Sequence, residues 1–123
     1  MRRKGQHKFN AKRVEVDGEF FDSQAEATRW RTLRVLQDAG EIANLERQPK
    51  FQIDINGQDC GAYKADFAYF HGEERVVEDV KGFETETFKF KRKIVEALFF
   101  VRIELVRASD ASRFNRRATV RAA

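Results

Sequence analysis

The stretch from Tyr63 to Gly82, YKADFAYFHGEERVVEDVKG, constrains the fold more than any other part of the chain. Two runs rich in Tyr, Phe and Val flank His71-Gly72-Glu73-Glu74, which reads as a tight β-hairpin. A loop closed symmetrically on Gly72 and Glu73 sets Asp66 directly opposite Asp79. Side chains alternate along a strand, so Asp79 and Lys81 share a face while Val80 points to the other. Directly opposed residues have Cβ atoms about 5 Å apart, and like charges there are destabilising. Two carboxylates so placed either share a proton or hold a cation, here with an ammonium beside them. The bland alternative is a surface hairpin whose charges are solvated, with Lys64 and Lys81 neutralising the acids. Phe67, Tyr69, Val76, Val77 and Val80 weigh against it. They surround the charges with apolar residues, where unpaired charge is costly.

The remaining segments supply a sheet and helices around that hairpin. Val14 to Phe21 alternates about Asp17-Gly18, a first small hairpin. A helix over Gln24 to Ala39 follows, with Ser23 as N-cap and Gly40 just past its end. Its apolar face holds Trp30, Leu33, Leu36 and Ala39. At about 100° per residue, Glu26 lies about 40° from Trp30 and about 20° from Leu33, on the same face. Ser23-x-x-Glu26 is also a capping box. Glu26 therefore has two compatible roles, a cap or a carboxylate delivered toward the hairpin. Ile42 and Leu45 suggest a short extended segment. Phe51 to Ile55 alternates and meets the Asn56-Gly57 turn. After the long hairpin, Thr85 or Thr87 caps a helix over about Thr87 to Phe99 that buries Phe90, Ile94, Ala97 and Leu98. Its basic face is Lys89, Arg92 and Lys93, with Lys91 nearer the core side. Arg102 to Val106 closes the order as a strand: a mixed sheet flanked by helices.

At 123 residues the chain reads as one domain. It has no long apolar run for a membrane span and no apolar secretory segment. Cys60 is the sole cysteine, with no disulfide or thiolate-zinc partner, so the cytosol is the expected compartment. Charge is unevenly spread. Arg2, Arg3, Lys4, Lys8, Lys12 and Arg13 precede any acid. Arg107, Arg113, Arg116, Arg117 and Arg121 stand against Asp110 alone near the other end. An acidic body with basic segments at 1–13 and 107–123 suits a phosphate-backbone partner, although solvated tails would carry the same charges.

This order, with acids at these stations, resembles the PD-(D/E)xK nuclease superfamily, whose restriction-endonuclease-like core runs α-β-β-β-α-β. The residues that carry the resemblance are Asp66 for the first acid, Asp79-Val80-Lys81 for the (D/E)xK element, and Glu26 for the acid many members place on the first helix. More narrowly, the chain is similar to short tailed-phage endonucleases. Asp17-Gly18, Phe21-Asp22-Ser23 with Glu26, Gln48-Pro49, Tyr63 with Asp66-Phe67, Asp79-Val80-Lys81-Gly82, Thr85 and Lys91 match their recurring pieces. Ala65 stands where the superfamily's proline precedes the first acid. Glu78 sits beside Asp79, and a local bulge would turn it inward instead; the hairpin register selects Asp79.

The resemblance implies a Mg²⁺-dependent DNA endonuclease, with Mn²⁺ able to substitute. Asp66 and Asp79 would hold the metal, with the Val80 carbonyl as a further ligand and Glu26 completing the shell directly or through water. Lys81 would orient or deprotonate the attacking water. Gln48 and Lys91 are candidates for the site edge, whereas His7, His71 and Cys60 have nothing to place them near the acids. Arg2, Arg3, Lys4, Lys8, Lys12, Arg13, Lys89, Lys91, Arg92 and Lys93 are the expected DNA contacts. Branched DNA such as a four-way junction is the expected substrate, cut by a homodimer when both strands are cleaved. The other class the sequence permits is a noncatalytic DNA-binding or assembly protein that keeps this fold.

Overall fold

Short turns cut the chain into its elements. The computed structural model describes residues 13–81 and 84–113. Asp17-Gly18 joins β1 (Val14–Val16) to β2 (Glu19–Phe21), and Asn56-Gly57 joins β4 (Lys50–Ile55) to β5 (Gln58–Lys64). Both turns hold their two central residues at positive φ, 53° and 83° in the first and 53° and 81° in the second. That geometry matches the twist of the flanking strands, and Asp, Asn and Gly tolerate it best. Between the hairpins runs α1 (Gln24–Asp38), capped by Ser23, whose side chain accepts the Glu26 backbone N–H.

The main sheet is four-stranded, in the order β3 (Ala43–Arg47), β6 (Phe67–His71), β7 (Glu74–Lys81), β8 (Arg102–Arg107). The β6–β7 hairpin has the expected register, from His71 opposite Glu74 to Phe67 opposite Glu78. A second helix, α2 (Glu86–Phe99), follows β7 and returns the chain so that β8 lies parallel to β7. The expected mixed α/β class is thus present, with the core order α-β-β-β-α-β formed by α1, β3, β6, β7, α2 and β8.

The strand count between the helices differs from the reading of the sequence. Five strands occur there rather than three, and Phe51–Ile55 lies outside the main sheet. That segment belongs to β4, which among the described residues pairs with β5 alone. Pro49 lacks the N–H that a continuing central strand needs, and Gln48 sits at φ 52°. One long hairpin is therefore kinked into a β3–β6 part and a β4–β5 part. Its pairing crosses the kink through Gln48 N–H to the Asp66 carbonyl (2.8 Å) and Ala65 N–H to the Pro49 carbonyl (3.0 Å).

Apolar clusters cover both faces of the sheet. Phe21, Ala27, Leu33, Phe67, Tyr69 and Val76 pack on the α1 side. Phe51, Tyr63, Ala68, Val77, Phe88 and Val95 pack on the α2 side. Ala39, expected on the buried face of α1, is exposed, while Arg29 is buried. In α2, capped by Thr85, the buried line is Phe88 and Val95, with Ile94 partly buried. Phe90 and Leu98 are exposed, and so is Ala97. The β4–β5 hairpin and β8 meet the Phe88–Val95 side of the helix, so the stripe expected to be buried faces outward.

The segment grouped with the C-terminal basic tail is held to the domain as far as Arg113. Residues Ala108–Asp110 form a 3-10 turn, and Ala111 is buried. Arg2, Arg3, Lys4, His7, Lys8, Lys12, Gly82, Arg116, Arg117 and Arg121 lie outside the described residues. Among the described residues, no helix is long and apolar enough to cross a membrane.

Candidate active site

Strand alternation sorts the end of β7 onto two faces. Val76, Glu78 and Val80 turn toward α1, and Val77, Asp79 and Lys81 turn toward α2. Glu78 is wholly engaged on its side. Arg29 donates to it twice, Nε to Oε1 at 2.7 Å and Nη2 to Oε2 at 2.8 Å. The Tyr69 hydroxyl also donates to Oε2, at 2.5 Å. Burial opposes the Arg29 charge, but the Glu78 carboxylate overrides it and holds the guanidinium above its usual pKa. The bulge that would turn Glu78 into the site does not form on β7.

Asp79 accepts a hydrogen bond from the Tyr63 hydroxyl on the opposite face. Burial pushes its carboxyl up, against the Tyr63 hydrogen bond and the Lys81 charge. Burial likewise raises the Tyr63 hydroxyl, and the Asp79 charge adds to the shift. Tyr63 therefore acts as a proton donor to Asp79 rather than as a phenolate.

Asp66 lies one residue before β6, where the ladder with β7 has ended, so it is not a formal strand partner of Asp79. Its backbone N–H bonds the Glu78 carbonyl (3.1 Å), and its carboxylate accepts the Val80 N–H (2.8 Å). The side chain thus replaces the strand that diverged at the kink. The N–H and C=O of one residue in a strand point to the same edge, so the Val80 carbonyl is directed toward Asp66. Burial lifts the Asp66 carboxyl to about 7; the Val80 hydrogen bond opposes this, the Glu26 and Asp79 charges reinforce it, and Lys81 opposes it.

Ser23 caps the helix at Glu26, and the Glu26 carboxyl, instead of returning to the Ser23 amide, meets the Asp22 backbone and Asp66. The Glu26 backbone N–H bonds Ser23 Oγ (3.1 Å). Its half-buried carboxyl is raised first by burial and then by Asp22, while a backbone hydrogen bond from Asp22, the Arg47 charge and a side-chain hydrogen bond with Asp66 pull it down. Lys81 completes the group, with Nζ 4.9 Å from the centre of the Phe88 ring in the first turns of α2.

The other expected site residues are distributed differently. Gln48 contributes its backbone, bracing the Asp66 carbonyl. Lys91 Nζ donates to the Ala62 carbonyl (3.3 Å) and packs α2 against β5. Lys89 and Lys93 are exposed, and the Arg92 guanidinium lies 5.5 Å from the Phe88 ring centre. Arg13 stacks over Phe20 at 5.1 Å. His71 pairs with Glu74 at the turn, and Cys60 is exposed. Among the described residues no group of three His, Cys, Asp or Glu side chains is arranged as a ready metal cage. What the chain offers is an open set of hard oxygen donors around Asp66.

Two partners were not assigned from sequence. Tyr63 gave no sign that its hydroxyl would meet Asp79, because a kinked strand separates them. Arg29 did leave a signal: it sits about 40° from Leu33 on the helix wheel, on the apolar face.

Together these features define a mixed α/β protein with a buried carboxylate-and-lysine site at the end of a central strand. A family model described as "Protein of unknown function (DUF1064)" matches residues 6–114, and the chain belongs to that family. No curated protein and no solved structure matches the chain.

Proposed function

We propose that this protein is a metal-dependent DNA endonuclease of the PD-(D/E)xK type, acting in the cytosol. The observation that carries this reading is the meeting of Glu26, Asp66, Asp79 and Lys81, drawn from α1, the kink before β6 and the end of β7. Carboxylate and carbonyl oxygens are the donor types that a hard divalent cation takes. Three acids gathered with burial raising each one are poorly accommodated as bare anions. Asp66, Asp79 and the Val80 carbonyl would hold the ion, with Glu26 in contact directly or through water. Mg²⁺ or Mn²⁺ bound there supplies acidification of water and charge stabilisation at the scissile phosphate.

The protein's own groups account for the rest. Lys81 orients the attacking water and offsets negative charge on the phosphoryl oxygens. The water oxygen forms the new P–O bond as the bond to the sugar oxygen breaks; the attacking water gives up one proton to bulk water, and the departing sugar oxygen takes one up from it. Tyr63 fixes the carboxylate of Asp79 by hydrogen bonding.

Little of the chain remains to read bases in a major groove, a task that uses a dedicated helix or ribbon. Recognition by backbone charge and shape follows, with branched DNA as the preferred class. Cutting both strands calls for two copies, most simply a two-fold dimer. The test is cleavage of supercoiled plasmid and of an immobile four-way junction by the purified chain, with Mg²⁺ and with EDTA. Mg²⁺-dependent cleavage lost in Asp79→Asn supports the reading; no cleavage of either DNA, or equal cleavage by the variant, overturns it.

A further inference from the structure

We infer that the hollow on the N-terminal half of α2 seats an unpaired nucleobase stacked on Phe90. The inference rests on the nuclease reading and names the substrate class of that site: DNA with unpaired nucleotides. The hollow, of about 260 Å³, is lined by Glu84, Glu86, Lys89, Phe90, Arg92 and Lys93. Phe90 is 67 % exposed at this position, so its ring contributes little to the core. Exposed aromatics set among cations are how proteins hold single-stranded nucleic acid, because every base offers a π-face and the cations follow the backbone.

The charges leave the hollow open to phosphate. Lys89–Glu86 (3.4 Å) and Arg92–Glu84 (3.6 Å) are long contacts outside the core, a type of pair that contributes little. Among the described residues Lys93 has no ion-pair partner. Three cations, Lys89, Arg92 and Lys93, stand against Glu84 and Glu86 in the lining, so its charge balance favours an anion.

Arg92 belongs both to the hollow and to the ring contact that Lys81 makes. Lys81 and Arg92 contact the same Phe88 ring, at 4.9 Å and 5.5 Å from its centre. Arg92 is thus the residue that a bound strand would share between Lys81 and the hollow. Continuous duplex keeps its bases within the stack and cannot occupy this seat, whereas a fork, junction or single strand can.

The test uses the full chain in EDTA, so binding is read without cleavage. The probes are a forked DNA carrying 2-aminopurine at its first unpaired position and a duplex of the same length. Wild-type protein should favour the fork and quench the 2-aminopurine on binding. Phe90→Ala should lower the fork-over-duplex preference at least fivefold and remove the quenching, and Phe90→Trp should restore both. Unchanged preference and quenching in Phe90→Ala would overturn the inference, as would a sedimentation shift from dimer to monomer with preference intact. Phe90-dependent stacking by a protein that cuts no DNA would support this inference while defeating the catalytic reading.

Discussion

Glu78 and Asp79 are neighbours in the chain, and their carboxylates belong to opposite faces of the sheet. Arg29 and Tyr69 hold the first, whereas Tyr63 holds the second. One acid completes the core beneath α1, and the other is set in the candidate site with Asp66 and Lys81. Their substitutions should therefore fail in different ways.

Asp66→Asn and Asp79→Asn should each abolish Mg²⁺-dependent nicking while the protein still folds. Each change removes a donor and relieves crowding among the acids. Nicking assays and circular dichroism on the two variants check this, and near wild-type nicking by either would remove it from the site.

The metal-free protein should lose stability as pH rises. An unfolded Asp ionises near about 3.9, whereas burial holds folded Asp66 at about 7. Between these values the folded chain binds more protons than the unfolded one, so the contribution of Asp66 falls with rising pH. Asp79 and Glu26, also raised, act in the same direction. Thermal melts should show Asp66→Asn above wild type at about pH 8 and level with it near about pH 4. A wild-type melting temperature that rises over this range, with no gain in the variant, would contradict the account.

Glu26→Gln separates capping from participation in the site. Gln keeps the backbone N–H that Ser23 accepts and an oxygen for the Asp22 backbone, so the melting temperature should stay within about 2 °C, a surface-sized change. Activity should fall at least about tenfold if the carboxylate acts beside Asp66. Full activity would leave Glu26 with a structural role alone.

Tyr63→Phe removes the hydroxyl that donates to Asp79 and keeps the ring in the core. It should cost about 1 kcal/mol of stability, the usual net worth of a hydrogen bond. The Mn²⁺ concentration needed for half-maximal cleavage should change as Asp79 is freed, and a titration curve identical to wild type would show that Tyr63 does not position Asp79.

Glu78→Gln should destabilise the protein by about 3–5 kcal/mol, because it leaves the buried Arg29 charge uncompensated. Replacing both partners with apolar residues, as in Arg29→Met with Glu78→Leu, should recover much of the loss. Urea unfolding of the single and double variants measures both.

Much of this architecture was legible in the chain. Asp17-Gly18, Asn56-Gly57 and His71 to Glu74 located the hairpins, and Ser23 located the start of α1, because turn and cap chemistry is local. The β6–β7 register followed from the length of its turn. The kink at Pro49 was harder to read, since its effect falls on the partner strand, where Ala65 and Asp66 leave the ladder. The inward face of α2 was also hidden. Phe88 and Phe90 are equally apolar, and only the position of β4 and β5 decides which one is covered. The two hydroxyl partners, Tyr63 with Asp79 and Tyr69 with Glu78, depend on tertiary packing that residue spacing does not encode.

Arg29 also donates to the carbonyls of Ala111 (3.3 Å) and Arg113 (2.6 Å), joining the start of the domain to the far end of its described chain. This sets an order of assembly. On the ribosome, Arg29 and Glu78 emerge well before the carbonyls that complete the guanidinium's set of acceptors, and domains fold in the order in which they are made. The buried arginine therefore stays partly unsatisfied until residue 113 has left the exit tunnel, and a nascent chain stopped short of Ala111 lacks the closure that locks α1 onto β7. Residues 111–113 thereby fasten α1 to β7, so the strand that carries the acids is braced from a segment far along the chain.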